Sequence, residues 1–551
     1  MGYKEAFANT FLTDVLEYAG LIQIDSNFVQ QTHASASSAV SKKRKCSLEC
    51  DPEAGSEVDV ADNANSEVGF EVGSEVGSAE EVDPFLVDWN GDSDPENPLN
   101  WSSRKRAFVV AQTMLLTCTT YMGASIYTPG QQQIQEQFHV GHVVGTLNLS
   151  LYVFGYGLGP IVFSPLSEVT KIGRQPLYIV TLFLFMIFQA GAATVNNMGG
   201  LAVIRFISGV LCSPSLATGG ATMGDIISPE KVPVILGLWA VGAVAAPVIA
   251  PLLGAAMVVA KDWRWVFWLL MIISAFTLVL LVAFFPETQH NNILHRRAKR
   301  LRKQTGDNRY YTRQERADLK IDIRAFLKEL FVRPFLVMIM EPAVLAFDLY
   351  ISLCYGAFYL FFEAFPIVFI GIYKFTLVEM GLAYMGFCVG CVVAYTLLIL
   401  FLSIYITPKF KNGTFQPEHF LVLAMIVCWS LPFSLFLFGW TARVHWILPI
   451  ISEIFFVLNV FNLFQSSFAY LAICYPRYLA SVFASNGLCR AVFACVFPLF
   501  GQAMYKNLGS EKYPVGWGSS LVGFFCIGLA AIPFVFYKYG PTMRGKSRYA
   551  N

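Results

Sequence analysis

Residues Trp265–Phe285 read WVFWLLMIISAFTLVLLVAFF, a run of 21 residues without one charged side chain. A helix of about 20 apolar residues crosses the hydrocarbon core of a bilayer. A helix that is apolar all round has no face for water. The run therefore predicts a membrane-spanning helix.

The composition of the whole chain extends this prediction. Of its 551 residues, 55% are hydrophobic and only 14% are charged, whereas soluble domains carry about 25% charged residues. These values exclude a soluble enzyme. A net charge of +1 leaves no basic excess for binding nucleic acid. We expect the lipid bilayer to be the main solvent of this protein.

Eleven more apolar runs of similar length occur along the chain. They lie at residues 107–127, 143–163, 177–195, 201–220, 233–257, 343–365, 377–402, 420–440, 446–471, 482–504 and 518–537. We therefore predict an all-α polytopic membrane protein with twelve transmembrane helices in two six-helix halves.

The distribution of charge predicts the orientation and the segment boundaries. Lys and Arg are concentrated in the loops that share a side with both termini, which places both termini in the cytosol. The predicted segments are a mostly disordered cytosolic tail rich in Ser, Glu and Gly (1–100), the first half (101–286), a basic cytosolic central loop (287–335), the second half (336–538) and a cytosolic C-terminal tail (539–551). The basic run at 296–303 fits either a helix on anionic lipid or a solvated linker.

Five charged residues fall well inside the predicted spans: Arg205, Asp348, Glu363, Glu453 and Arg490. Such residues are costly in a bilayer and face the bundle interior, where they serve proton relay, substrate contact or structural ion pairing. Two blocks of six spans favour a transporter, although receptors and membrane enzymes are also polytopic. The histidines lie in loops, in the tail or at span edges, so we expect neither a metal site nor a cofactor.

Local motifs add a resemblance. Residues 164–176 read SPLSEVTKIGRQP, similar to the major facilitator superfamily signature G-x-L-A-D-R-x-G-R-K, with Ser164 for Gly, Glu168 for Asp and two extra residues. Residues 201–209 (LAVIRFISG) resemble its buried-arginine motif, and residues 246–255 (APVIAPLLGA) resemble its antiporter motif. With DPENPLNW at 94–101 and YLFFEAFP at 359–366, the chain resembles the fungal twelve-span drug:proton antiporters, above all the yeast plasma-membrane exporters of fluconazole and benomyl.

The resemblance implies roles for residues in these motifs. Arg205 would be a fixed positive centre for proton coupling, and the candidate proton carriers are Asp225, Asp348, Glu363 and Glu453. The inner gate would comprise Ser164, Glu168, Lys171, Gly173 and Arg174, with Glu168 and Arg174 latching it shut. The small residues of the antiporter motif would let helices rock against each other; they are Ala246, Ala250, Pro251, Gly254 and Ala255.

Aromatic side chains of the seventh span suggest a substrate site, although each ring could equally face lipid or a neighbouring helix. The candidates are Tyr350, Tyr355, Tyr359, Phe362 and Phe365. The implied function is a monomeric, plasma-membrane exporter of small hydrophobic drugs, azole- and benomyl-like compounds among them, driven by protons. Two alternatives remain: an importer or facilitator of a metabolite on the same fold, and a nutrient sensor that does not transport.

Overall fold

The computed structural model describes residues 10–18, 83–91, 93–318, 323–547 and 549–550. The regular structure in these ranges is helical, and extended pairing is limited to two isolated β-bridges. The predicted all-α class is confirmed.

Twelve helices form a bundle. They are α1 Ser103–Met122, α2 His142–Glu168, α3 Gln175–Thr194, α4 Met198–Ile226, α5 Val232–Ala260, α6 Trp263–Phe284, α7 Pro342–Ile372, α8 Leu377–Lys411, α9 Pro417–Thr441, α10 Ile447–Cys474, α11 Leu479–Leu508 and α12 Gly516–Lys546. All except α1 are long and apolar enough to cross a membrane, which makes eleven such helices among the described residues.

Helix α1 is the most polar member of the bundle. It opens with three basic residues at 104–106 and carries four threonines at 113, 117, 119 and 120, all buried. The hydroxyls of Thr113, Thr117 and Thr120 each donate a hydrogen bond to the carbonyl four residues earlier in the same helix, as Ser and Thr do inside bilayers. The helix packs against α4, α5 and α6 and completes the first half. It ends at Met122, short of the predicted end at 127, because residues 123–130 form turns.

The helix contacts repeat with an offset of six. The first half contains the packed pairs α2–α4, α1–α5 and α3–α6, and the second half contains α8–α10, α7–α11 and α9–α12. The two halves meet through the helix pairs α2–α11 and α5–α8. These two pairs are also equivalent, because α8 corresponds to α2 and α11 corresponds to α5. This duplication is the arrangement expected of two six-helix halves with a path between them.

The outer surface of the bundle is apolar. On α6, for example, Ile272, Phe276 and Val279 are 56%, 61% and 65% exposed. Their spacing of three to four residues places them on one face of the helix. A lipid-facing surface requires such side chains, since lipid tails cannot solvate polar ones.

The central segment is folded and not a plain loop. It contains a helix at His290–Thr305, which we call the central helix, followed by helices at Arg313–Asp318 and Ile323–Met340. Arg297 is buried and pairs with Asp94 and Glu96, both at 2.8 Å. Arg296 pairs with Asp14, and Arg302 with Glu315. Carboxylates of the protein therefore pair with these three arginines, an interaction that neither the lipid-bound nor the solvated prediction included.

The predicted disorder of the tail concerns mainly residues outside the described ranges. Two parts of the tail are described. The helix Phe11–Tyr18 packs against α6, and Glu17 pairs with Arg300 at 3.4 Å. Val87 donates its backbone N–H to the Tyr311 carbonyl at 2.8 Å. Acidic residues of the tail thus contact the central segment.

Candidate functional site

The charge predicted to centre the coupling site, Arg205, binds backbone carbonyls. Its guanidinium donates to the carbonyl oxygens of Gly123 at 2.6 Å, Ala124 at 3.0 Å and Asn148 at 3.2 Å. The ring of Tyr152 lies against it, with the centroid 4.5 Å away. Within the described residues no carboxylate pairs with Arg205. The side chain therefore ties the segment after α1 and the first turns of α2 to α4.

At the end of the bundle that carries the central helix, which we call the central end, Arg174 pairs with Asp225. The Arg174 Nε lies 2.9 Å from Asp225 Oδ2, and Nη1 donates to the Thr218 carbonyl at 3.2 Å. The predicted partner Glu168 has an exposed side chain that makes no ion pair among the described residues, and Lys171 is also exposed. Asp225, predicted as a proton carrier, thus occupies the place in the latch that the motif suggested for Glu168.

Glu287 is a buried carboxylate of the central end that sequence reasoning missed. Its fully buried carboxylate accepts the backbone N–H groups of Arg174 at 3.1 Å and Gln175 at 3.2 Å, at the N-terminus of α3. A helix N-terminus stabilises an anion there. Gly173 comes just before it at φ +77°, the left-handed conformation that favours glycine. Ser164 contributes its carbonyl to the Ser167 hydroxyl at 2.6 Å. In the sequence, the signal that could have identified Glu287 was the triplet Pro-Glu-Thr at 286–288.

The antiporter motif on α5 forms a close contact with the segment after α1. Ala246, Ala250 and Ala255 are each at most 2% exposed. A Cβ added to Gly254 would collide with the carbonyl of Ile126. Ser125 donates to the Pro247 carbonyl at 2.5 Å, a group that Pro251 leaves without its usual intrahelical donor. Small residues at these positions therefore allow the backbones to touch.

One face of α7 carries chemically active side chains, of which those of Tyr355, Tyr359 and Glu363 contact the first half. Asp348, Tyr355, Tyr359 and Glu363 are separated by seven, four and four residues, which is the spacing of a single helix face. The Tyr156 hydroxyl of α2 lies 2.8 Å from that of Tyr355 and 3.2 Å from that of Tyr359. The Tyr121 hydroxyl of α1 also contacts Tyr355. Four tyrosine hydroxyls from both halves thus meet between the halves; we call them the tyrosine cluster.

The other predicted aromatic residues of α7 pack into the second half. Phe365 stacks on Tyr384 with centroids 4.1 Å apart, and Phe362 lies 5.5 Å from the same ring. Tyr350 is fully buried. Of the five predicted substrate residues, only Tyr355 and Tyr359 belong to the cluster between the halves.

The buried carboxylates differ in their partners. Asp348 accepts from Ser485 and Asn486 of α11, both at 2.9 Å, and Glu453 accepts the Phe387 backbone N–H at 3.0 Å. Both sets of contacts lie inside the second half.

Glu363, in contrast, contacts the first half. It accepts from the Thr146 hydroxyl at 3.2 Å and lies 3.3 Å from Nε2 of His142, both on α2. Its side chain is 6% exposed. This contact lies at the end of the bundle opposite the central helix, which we call the far end. His142 and Thr146 were missed because they stand at the edge of a span, where sequence offers no partner.

Metal ligation finds no support in this arrangement. Across the ranges that the structure describes, no group of three or more His, Cys, Asp or Glu side chains could hold a metal ion.

Comparisons with known proteins agree with this architecture. Residues 113–498 match the model of the Major Facilitator Superfamily. The chain is 63% identical over 550 residues to the Fluconazole resistance protein 1 of Saccharomyces cerevisiae, covering 100% of both chains. The chain belongs to the major facilitator superfamily. As a member of it, this protein is a multi-pass membrane transporter and not an enzyme.

A second curated relative and a solved structure are also similar to this chain. It is 64% identical over 471 residues to the Multidrug transporter FLR2 of Candida glabrata, covering 86% of this chain and 80% of the relative. The xylose transporter XylE from E. coli, in a partially occluded inward open conformation, superposes with a TM-score of 0.55 at 13% identity, covering 79% of this chain and 99% of that one. The second match concerns the fold alone and supports the twelve-helix architecture of the superfamily.

Proposed function

We propose that this protein exports small hydrophobic drugs, azole- and benomyl-like compounds among them, from the cytosol across the plasma membrane in exchange for protons. It acts as a monomer with both termini in the cytosol. The relatives named for fluconazole resistance and multidrug transport, which match at 63% and 64% identity, support the choice of substrates.

Proton coupling rests on one observation, the contact of Glu363 with α2. A carboxylate that accepts the Thr146 hydroxyl holds the two halves together at the far end. A protonated carboxyl carries no charge and is a weaker acceptor for the Thr146 hydroxyl. Proton binding at Glu363 therefore favours separation of the halves at this end, and proton loss favours closure. An exchanger needs such a link between protonation and conformation.

The test is uptake of labelled fluconazole into inside-out plasma-membrane vesicles that carry the protein. An acid interior drives accumulation, and a protonophore abolishes it. Vesicles from cells without the protein provide the background. Accumulation that persists with the protonophore rules out proton exchange, and accumulation equal to the background rules out export.

A further inference from the structure

Arg490 is a cation between the halves that the coupling contacts leave unused. It lies on α11, the helix that packs against both α7 and α2. Its guanidinium is 5.1 Å from the ring centroid of Tyr355 and 4.8 Å from that of Phe464. Its Nε is buried without a hydrogen-bond partner.

One carboxylate, that of Asp348, interacts electrostatically with Arg490 at longer range but forms no ion pair with it. Asp348 is bound by Ser485 and Asn486. Among the residues that the structure describes, Arg490 makes neither an ion pair nor a hydrogen bond. Arg205, the comparable buried arginine of the first half, donates to three carbonyl oxygens. A half-buried guanidinium inside a bilayer, with a buried Nε that has no hydrogen bond, is costly and marks a functional position.

The surroundings supply the rest of a binding site. Arg490 lies beside Tyr355, whose hydroxyl meets those of Tyr121 and Tyr156 from the first half. Aromatic faces hold flat apolar bodies with little selectivity. A guanidinium forms two parallel hydrogen bonds with a carboxylate. The two together fit a flat molecule that carries a carboxylate at one end.

We propose that Arg490 anchors a substrate subsite for aromatic carboxylates, with Tyr355 and Phe464 holding the rings. The proposal deepens the export function and rests on it for its physiological meaning. It predicts that acidic aromatic compounds bind more tightly than neutral compounds of the same shape. The protein then distinguishes among drugs by charge as well as by apolar area.

The experiment compares biphenyl-4-carboxylate with its neutral amide on the purified protein in detergent, by equilibrium binding. Wild-type protein binds the carboxylate more tightly. Arg490→Gln weakens carboxylate binding by about tenfold or more, the effect of removing a charged hydrogen-bonded pair, and changes amide binding less than about twofold. Arg443→Gln removes an exposed arginine from the same half and leaves both affinities unchanged. Equal affinity of the wild type for both compounds, or equal losses in Arg490→Gln, overturns the proposal.

A second variant separates binding from folding. Arg490→Met removes a half-buried charge that has neither an ion pair nor a hydrogen bond, so the ligand-free variant has a Tm equal to or above that of the wild type and loses stabilisation by the carboxylate. A lower Tm means that Arg490 serves the fold and overturns the proposal.

Vesicle transport distinguishes failure of the Arg490 subsite from failure of the export function. If wild-type vesicles accumulate fluconazole and the amide but the carboxylate does not bind, only the subsite fails. If the carboxylate binds but no compound accumulates, only the export function fails.

Discussion

At the scale of single residues, the charges inside the bundle differ in whether their partners lie in the same half or in the opposite half. Arg205 contacts carbonyls within the first half, and Glu453 contacts a backbone N–H within the second. Glu363 contacts side chains of the opposite half. A group held inside a rigid unit changes little when the units move, whereas a group at their boundary changes its partners.

The first prediction concerns Glu363. Glu363→Gln still accepts from Thr146 but cannot gain or lose a proton, so drug binding is kept while accumulation driven by the proton gradient falls to background. Vesicle uptake with and without protonophore measures this. Glu453→Gln is the matched control, because its amide oxygen still accepts the Phe387 N–H, and it retains coupled uptake. Normal proton coupling in Glu363→Gln would show that Glu363 is not the proton-binding residue.

The second prediction concerns Arg205. Arg205→Ala leaves the Gly123 and Ala124 carbonyl oxygens without a donor, at roughly 1–3 kcal/mol for each buried group left unpaired. The Asn148 carbonyl lies within α2 and keeps its intrahelical donor. We expect a lower Tm of the purified protein as well as lost export. Arg205→Lys restores part of the stability, since an ammonium cannot reach all three oxygens. An unchanged Tm in Arg205→Ala would show that the arginine acts in coupling alone.

At the scale of elements, the contact of α5 with the segment after α1 depends on the absence of a side chain at Gly254. The Ala residues that replace Gly in the antiporter motif are buried in this interface, which therefore accommodates their Cβ atoms.

The third prediction follows from this contact. Gly254→Ala forces a Cβ against the Ile126 carbonyl and costs roughly 1–3 kcal/mol, as overpacking does. The Tm of the purified protein measures it. Gly224→Ala on α4 is the matched control, because no atom lies within 4 Å of a Cβ added there, and its Tm stays equal or rises. Equal Tm values for the two variants would contradict a tight α5 contact.

The fourth prediction concerns the central helix. Arg297→Ala leaves the buried Asp94 unpaired, a loss of roughly 3–5 kcal/mol, so residues 83–101 detach locally. Proteinase K then cleaves this segment faster. Lys303→Ala, which removes an exposed basic side chain from the same helix, leaves cleavage unchanged. Equal cleavage in both variants would mean that the segment is held by its backbone contacts instead.

At the scale of the whole molecule, the halves meet through two helix pairs related by the internal duplication, α2–α11 and α5–α8. The side chains proposed for proton and substrate binding lie along the boundary that these pairs flank. Rocking of one half against the other would therefore expose the boundary first to one side of the membrane and then to the other.

The fifth prediction tests this motion. A Cβ on Gly381 of α8 would lie 3.3 Å from the Leu252 Cβ of α5 and 2.8 Å from its Cα, so the two helices must separate slightly to reach the Cβ–Cβ distance of about 3.5–4.5 Å that a disulfide needs. Leu252→Cys combined with Gly381→Cys therefore cross-links the halves under mild oxidation, and vesicle uptake stops until a reductant is added. Each single variant and the oxidised wild type retain uptake. Continued uptake by the cross-linked protein would mean that this contact stays closed throughout transport.

The sequence by itself determined the membrane class, the number of spans and most of their bounds. The length of an apolar run is a local property, and the thickness of the bilayer sets the length that a spanning helix needs. The run Trp265–Phe285 became α6, Trp263–Phe284. Sequence also identified the buried charges, since each interrupts an apolar run.

Only the tertiary structure decided the partners of those charges. Arg174 pairs with Asp225 across 51 positions of sequence, and Thr146 donates to Glu363 across 217. Such contacts depend on which helix faces meet, and that is set by packing of the whole bundle and not by any local pattern. For the same reason the sequence identified Arg490 only as a charge in a span. The fold places its guanidinium between two aromatic rings, with neither an ion pair nor a hydrogen bond among the described residues.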